Sequence, residues 1–501
     1  MHLDLILTMA TATHGERVAV GSRDGGLSFD ALAEGARRVA TAVSHRSVDH
    51  VGLVDLNSAA VPLTLFGAAI AGRPFVPINY RLPDDQLRRL VERIAPAVVV
   101  VGEGVSDRIG GIDGIELISR DELLAIASGE REVADDAPES DGDPDGVAVL
   151  LYTSGTTGEP KAAVLRHLHL GSYVVTTVEL SGADPAEAAL VSVPPYHIAG
   201  ISAALSSVYG GRRVVYLEAF EPFEWVRTVR DEAITHAMVV PTMLNRILDV
   251  IEADGLGLPS LRALSYGGGP MPLPVIERAV AMLPNVGFVN AYGLTETSST
   301  IALLGPDDHR AAMSSADPAV RARLGSVGRP LPSVEITVRD DGGAEVTPGQ
   351  VGELWVRGEQ VSGEYRGRDG DDGGWFRTRD AVHVDDEGFL FVHGRLDDVI
   401  VRGGENLSPG EIESVLLEHD SVEEAAVVGI PDTEWGERVV AAVVAEAGAE
   451  VDEAALQEFV RGRLRSTKTP ERIAVVDELP YNETGKLLRR VLRDELAAAF
   501  A

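Results

Sequence analysis

The run Val147-Ala148-Val149-Leu150-Leu151-Tyr152 carries no charged side chain, so a strand built from it has no face to offer water. Strands of this kind belong to parallel sheets covered by helices on both sides. The chain before it shows the matching pattern. Ala31 to Val43 reads as an amphipathic helix, Val51-Gly52-Leu53-Val54 as a short strand, and Val98 to Val101 as another. Strands alternating with helices predict βαβ units. The expected fold class is α/β, and the alternation continues to about residue 330.

At 501 residues the chain has room for roughly two to four domains, and no repeat is visible along it. Residues 128–146 hold eight acids, one arginine and two prolines, which reads as a solvated connector. After residue 330 the texture changes. Val334 to Val338 and Glu353 to Val356 alternate with period two, and Phe389 to Val392 follows an Asp-Asp-Glu-Gly turn, so a small β-barrel or hairpin unit is expected. A boundary falls near Gly394-Arg395-Leu396-Asp397-Asp398. Beyond it, Ser408 and Glu411 have capping-box spacing, Pro409 suits a first helical position, and Ile412, Val415 and Leu416 form an apolar stripe. The expected organisation is a large body over 1–395 and a small, mobile α+β lid over 396–501.

Charge narrows the function. The chain has 78 acidic residues against 44 basic ones, a formal net charge of −34. Such a surface repels nucleic acid and anionic lipid, which argues against general binders of either, yet a small anion can still be held in a local basic pocket. Only Lys161, Lys468 and Lys486 are lysines. There is no cysteine, hence no disulfide, no Cys-ligated zinc and no thiol nucleophile. His167 and His169 have no carboxylate at ligand spacing and read as part of a helix. Met1-His2-Leu3-Asp4 lacks a basic n-region, and the apolar stretch Ala59 to Ala71 is too short to span a bilayer and contains Pro62. A cytoplasmic protein is expected.

The chemistry-bearing signal follows the buried strand: Thr153-Ser154-Gly155-Thr156-Thr157-Gly158-Glu159-Pro160-Lys161. Two glycines let backbone approach a phosphate, four hydroxyls offer donors, and Lys161 neutralises charge. Glu159 and Pro160 separate the last glycine from the lysine, so this is not a Walker A loop. The residues from Ala162 onward look helical, which would add a helix N-terminus to the site.

With that loop, further motifs occur in a fixed order: Pro194-Pro195-Tyr196-His197, Tyr266-Gly267-Gly268-Gly269-Pro270, Asn290-Ala291-Tyr292-Gly293-Leu294-Thr295-Glu296, Thr378-Arg379-Asp380, Gly394 to Asp398, Arg402-Gly403-Gly404-Glu405-Asn406 and Asn482-Glu483-Thr484-Gly485-Lys486. Over nearly its whole length the chain resembles the adenylate-forming enzymes, which include acyl-CoA and aryl-CoA ligases, adenylation domains of peptide synthetases, and luciferases.

The resemblance implies two steps. A carboxylate attacks the α-phosphate of ATP and releases pyrophosphate; a thiol, usually that of coenzyme A, then takes the acyl group and AMP leaves. Such a displacement needs positioning and charge neutralisation more than covalent help. By resemblance, Lys486 stabilises the charge shared by the incoming carboxylate and the α-phosphate, a contact worth about 3–4 kcal/mol. Glu296 holds Mg²⁺, Tyr292 stacks on adenine beside a wall formed by Gly267, Gly268 and Gly269, Asp380 accepts the ribose hydroxyls, and Arg395 reaches ribose or phosphate. Thr153 to Gly158 with Lys161, and Asn290, Ala291, Gly293 and Thr295, complete the nucleotide site. Asp397 matches the hinge about which the small domain swings, presenting Lys486 in one orientation and Gly403-Gly404 in the other.

His197 bears on the substrate. Amino-acid-activating relatives place an aspartate shortly after this position, whereas here His197-Ile198-Ala199-Gly200-Ile201 has no acid, favouring an uncharged, apolar acyl or aryl carboxylic acid. Two positions depart from the family pattern: Arg379 stands where relatives have glycine, and so does Ala162. The implied reactants are a small-molecule carboxylic acid, ATP, Mg²⁺ and coenzyme A, in a monomer or homodimer. An acyl-AMP ligase serving a carrier protein is the alternative. A catalytically idle nucleotide-binding regulator fits less well with the retained Lys486, Glu296 and Asp397.

Overall fold

The computed structural model describes residues 1–134, 138–153, 160–365, 373–403, 405–446, 448–481 and 487–500. The large domain is built on two helix-covered sheets. In one, strands run in the order Ile115–Ser119, Ala97–Val101, His50–Val54, Phe75–Pro77, Val147–Thr153 and Lys161–Arg166, all parallel except the last. Every residue of His50–Val54 and Ala97–Val101 is buried, as strands without a polar face require. The helix Phe29–Ser44 is capped by the Ser28 side chain, which accepts from the Ala31 amide, and buries Leu32, Ala36, Val39 and Val43 at helical spacing. The apolar stretch around Pro62 is the helix Ala60–Ile70, buried all round because it lies inside the core. Among the described residues no helix is long and apolar enough to cross a membrane.

The second sheet has nine strands, with Arg213–Tyr216, Ala188–Val191, His236–Val239, Ala263–Gly267 and Gly287–Leu294 consecutive and parallel. The region after residue 330 takes the hairpin form: Glu335–Arg339, Gly352–Arg357, Phe376–Val384 and Leu390–Arg395 make a four-stranded antiparallel meander over a core of Val338, Leu354, Val356, Val382 and Leu390. The small domain has a five-stranded sheet. Along its strand Val422–Asp432, Val427 faces one apolar cluster with Ile412 and Leu456, and Val428 faces another with Leu492 and Leu496. This alternation is what a two-layer α+β unit demands.

Two local expectations are corrected. The residues after Lys161 form the strand Lys161–Arg166, not a helix; Tyr152 pairs with Ala162 and Thr153 with Lys161. Alanine and leucine favour helix locally, but Ala162, Ala163, Val164 and Leu165 are buried, and the strand's outer edge is covered by residues 362–365 through Val164 N to Glu364 O (3.0 Å) and a bidentate Arg166–Glu364 pair. Tertiary pairing outweighs propensity. No helix N-terminus follows Lys161 directly; the helix begins at His167. At Ser408 the capping box does not form. Ser408 Oγ donates to His393 O at 2.6 Å, and Glu411 is engaged by Lys468 at 2.5 Å. Pro409 does occupy the first turn, and Ile412 and Leu416 are fully buried.

Candidate active site

The site lies at the carboxyl ends of adjacent parallel strands, where open α/β sheets bind ligands. Ala263–Gly267 and Gly287–Leu294 pair in register, Gly267 opposite Ala291. A Cβ on Gly267 would run into the carbonyl oxygen of Ala291, so only glycine permits this approach. Gly268 follows with a positive φ of 81°, and Gly269 has open space around it. Across the strand, Asn290 Nδ2 donates to Ser326 O at 3.0 Å.

Beyond a register shift at Tyr292 and Gly293, the chain enters the 3-10 turn Thr295–Thr297. Thr297 Oγ1 accepts from the Leu294 amide at 2.9 Å and fixes the turn. Glu296 is 8% exposed, and its carboxylate accepts from the Tyr365 hydroxyl. Burial, and then the nearby Glu296 charge, push the Tyr365 hydroxyl far above the ordinary tyrosine range, so it stays a donor. The main-chain oxygen of Glu296 accepts from Ser362 N (2.8 Å) and Gly363 N (3.2 Å), in the segment that also covers Lys161–Arg166. The strand Lys161–Arg166 and the Glu296 turn are thereby joined.

Asp380 is delivered by a bulge. Trp355 pairs with Arg377 and Glu353 with Ala381, so Thr378, Arg379 and Asp380 stand opposite Leu354 alone. Thr378 Oγ1 donates to Leu354 O (2.8 Å) and accepts from Asp380 N (3.1 Å). Arg379 closes the bulge with φ +63°. Asp380, 4% exposed, accepts from the Tyr292 hydroxyl and from Arg395 Nε at 2.9 Å, while Arg395 Nη1 donates to Thr378 O at 2.8 Å. Burial first, then the Asp380 charge, hold the Tyr292 hydroxyl well above its usual pKa. Tyr292, Asp380 and Arg395 therefore form one hydrogen-bonded group. On the outer side of the bulge, Arg379 Nη2 lies 2.7 Å from Asp397 Oδ1.

His197 precedes the helix Ile198–Gly210 in extended conformation, and its buried Nε2 has no hydrogen-bond partner. Burial lowers its pKa to about 4, so the ring is neutral at ordinary pH. Nearby, a cavity of about 520 Å³ is lined by Asn57, Tyr80, Pro194, Phe220 and Met243 of the large domain and by Glu424 and Tyr481 of the small one. Apart from Pro194, none of these belongs to a sequence motif; topology alone assembles them, and no spacing signal marks them.

Other expected residues sit apart. Thr153 Oγ1 donates to Lys161 O at 3.4 Å at the end of the hairpin. Gly403 has φ +58°, donates from its amide to Trp435 O at 2.7 Å and packs on the Trp435 ring within the small domain. Ser154, Gly155, Thr156, Thr157, Gly158, Gly404 and Lys486 lie outside the described residues. Among the described residues no three His, Asp or Glu side chains gather as a metal cluster. A lone buried carboxylate such as Glu296 suits Mg²⁺, which takes one or two carboxylates and completes its shell with phosphate oxygens and water.

The family described as AMP-binding enzyme matches residues 7–366, and the AMP-binding enzyme C-terminal domain matches residues 411–486. The chain is 33% identical over 484 residues to the fatty acid–[acyl-carrier-protein] ligase ScoC of Streptomyces coeruleorubidus, covering 93% of this chain and 91% of that protein. It is 39% identical over 355 residues to the 2-succinylbenzoate–CoA ligase of Bacillus licheniformis, covering 70% of each. Among solved structures, the o-succinylbenzoate CoA synthetase (MenE) of Bacillus subtilis in complex with the acyl-adenylate OSB-AMP superposes with a TM-score of 0.85 at 30% identity, over 98% of both chains. The same enzyme with ATP and magnesium gives 0.82 at 30% identity, over 98% and 99%.

Proposed function

Because the chain belongs to the AMP-binding enzyme family, we propose that its cavity takes a hydrophobic acyl or aryl carboxylic acid, joins it to AMP and passes the acyl group to coenzyme A. An AMP-forming acid–thiol ligase uses ATP, Mg²⁺ and coenzyme A, and this chain is such a ligase. The observation that carries the site assignment is the convergence of Tyr292, Asp380 and Arg395 beside the Gly267 wall.

In this reading Asp380 keeps its Tyr292 and Arg395 donors and accepts the ribose hydroxyls at its remaining lone pairs, and the Tyr292 ring packs on the adenine. Arg395 orients Asp380 through its Nε contact. The phosphate loop with Lys161 receives the β- and γ-phosphates at the hairpin end. Glu296 would hold Mg²⁺, which supplies neutralising charge at the phosphates. Lys486, close in sequence to the cavity-lining Tyr481, would meet the charge shared by the substrate carboxylate and the α-phosphate. His197, neutral and with an unpartnered Nε2, offers the acid a hydrogen bond without a fixed charge. The absence of an acid in Ile198-Ala199-Gly200-Ile201 supports an acyl group without an ammonium. The division between the domains is placed at Arg395 and Leu396.

The test is pyrophosphate release over a panel of fatty, aryl and polycyclic acids. Acid-dependent release is expected, and none with any acid would sink the reading. The similarity to a carrier-protein ligase favours one second reading, transfer to a carrier protein. Acceleration of AMP release by coenzyme A supports the first; acceleration only by an acylatable carrier protein supports the second.

A further inference from the structure

Two neighbouring residues of one bulge hold two residues of the interdomain link. Asp380 points inward and binds Arg395, its register partner; Arg379 points outward and binds Asp397. Asp397 sits in the 3-10 turn Leu396–Asp398, between the meander strand Leu390–Arg395 and the small-domain strand Ile400–Arg402. These strands belong to separate sheets with separate apolar cores. The Arg379–Asp397 pair therefore ties the meander to the link between them. Arg379 also carries φ +63°, a left-handed conformation that glycine adopts freely and an L side chain does not. The strain is tolerated at a position where the backbone needs no side chain, so the guanidinium itself is the feature to explain.

We infer that Arg379 is a positioning residue: its ion pair with Asp397 biases the small domain toward the orientation seen here, with Tyr481 and Glu424 facing the cavity. Its catalytic consequence rests on the two-step ligase reading; the bias itself does not. The pair is half exposed, 50% at Arg379 and 40% at Asp397, so salt screens it. A contact of this strength shifts a two-state population by about two- to five-fold. Such a shift is useful where two orientations must alternate, because a stronger clamp would stall the second step.

The chain has no cysteine, so two can be introduced and labelled selectively. Donor and acceptor dyes on Asp113→Cys and Glu450→Cys, both exposed positions, report domain orientation by energy transfer without substrate. In Arg379→Gly the distribution should shift by about two- to five-fold in population. Raising NaCl from about 0.05 M to about 0.5 M should move the parent the same way and leave Arg379→Gly in place. Arg379→Lys should recover part of the parent distribution. In the half-reactions, Arg379→Gly should slow adenylate formation and speed thioester formation from supplied acyl-adenylate by a similar factor. Its thermal midpoint should equal or exceed the parent's, because glycine relieves the strain. Identical distributions for Arg379→Gly and parent at low salt would overturn the inference, and so would a lower midpoint, which would mark a role in the fold. If no acid supports pyrophosphate release, the ligase reading fails while the energy-transfer result still decides this one.

Discussion

The hydroxyl of Tyr292 donates to the carboxylate of Asp380 across 88 residues of chain, and Arg395 grips the same carboxylate from the next strand. Three segments meet at one buried anion. A buried carboxylate is costly unless its oxygens are satisfied, so each partner stabilises the fold and, in the proposed function, also prepares an acceptor for the ribose.

Tyr292→Phe removes one of these donors. A hydrogen bond to a charged acceptor is worth about 1.5–3 kcal/mol, so the KM for ATP should rise roughly ten- to hundred-fold with kcat moved less. Steady-state pyrophosphate release at varied ATP reads this; an unchanged KM would detach the pair from nucleotide binding.

Glu296→Gln keeps the shape of the side chain and an acceptor for Tyr365, but removes the charge. Adenylate formation should fall by roughly 10²–10³ and its Mg²⁺ dependence should move to higher concentration. A Mg²⁺ titration beside a thermal melt checks it, the melt showing that the fold is retained.

Lys486→Ala should lower adenylate formation by roughly 10²–10³ and largely spare thioester formation from supplied acyl-adenylate. Equal losses in both half-reactions would contradict a lysine that serves one domain orientation only.

Gly267→Ala places a methyl against the Ala291 carbonyl and forces the two site strands apart. Overpacking of this kind costs about 1–3 kcal/mol. The thermal midpoint should drop, whereas Gly269→Ala, which meets nothing within 4 Å, should melt like the parent.

Acid should destabilise the fold through its buried histidines. Burial, followed by the charge of the stacked His2 ring, lowers the pKa of His167 to about 3, and burial lowers that of His197 to about 4. Below pH 6.5 the unfolded chain takes up protons that the folded chain refuses at these sites. Stability is therefore full above pH 6.5 and falls as pH drops toward 4, by at most about 1.4 kcal/mol per pH unit for each histidine. Denaturant unfolding between pH 7 and 4.5 measures the slope, which His167→Phe should make shallower.

Much of this was legible in the order of residues. The apolar runs at Val98 and Val147 specified buried parallel strands because no register could expose them, and the ordered motifs named Tyr292, Glu296, Asp380 and Arg395. Local propensity misled where a partner was distant. Ala162 to Leu165 became a strand because Val147–Thr153 and residues 362–365 supplied both edges. Glu411 left the Ser408 cap because Lys468, with no role assignable from spacing, reached it first.

The sequence by itself determined the α/β class and the family, and it proposed the residues of the candidate nucleotide site, since these depend on periodicity and on motifs read within one segment. Only the tertiary structure decided which donors satisfy Asp380 and Glu296, what lines the 520 Å³ cavity, and why an arginine stands at 379. Hydrogen bonds and ion pairs act over about 3 Å, and it is the packing of the sheets, not nearness along the chain, that brings residues within that distance.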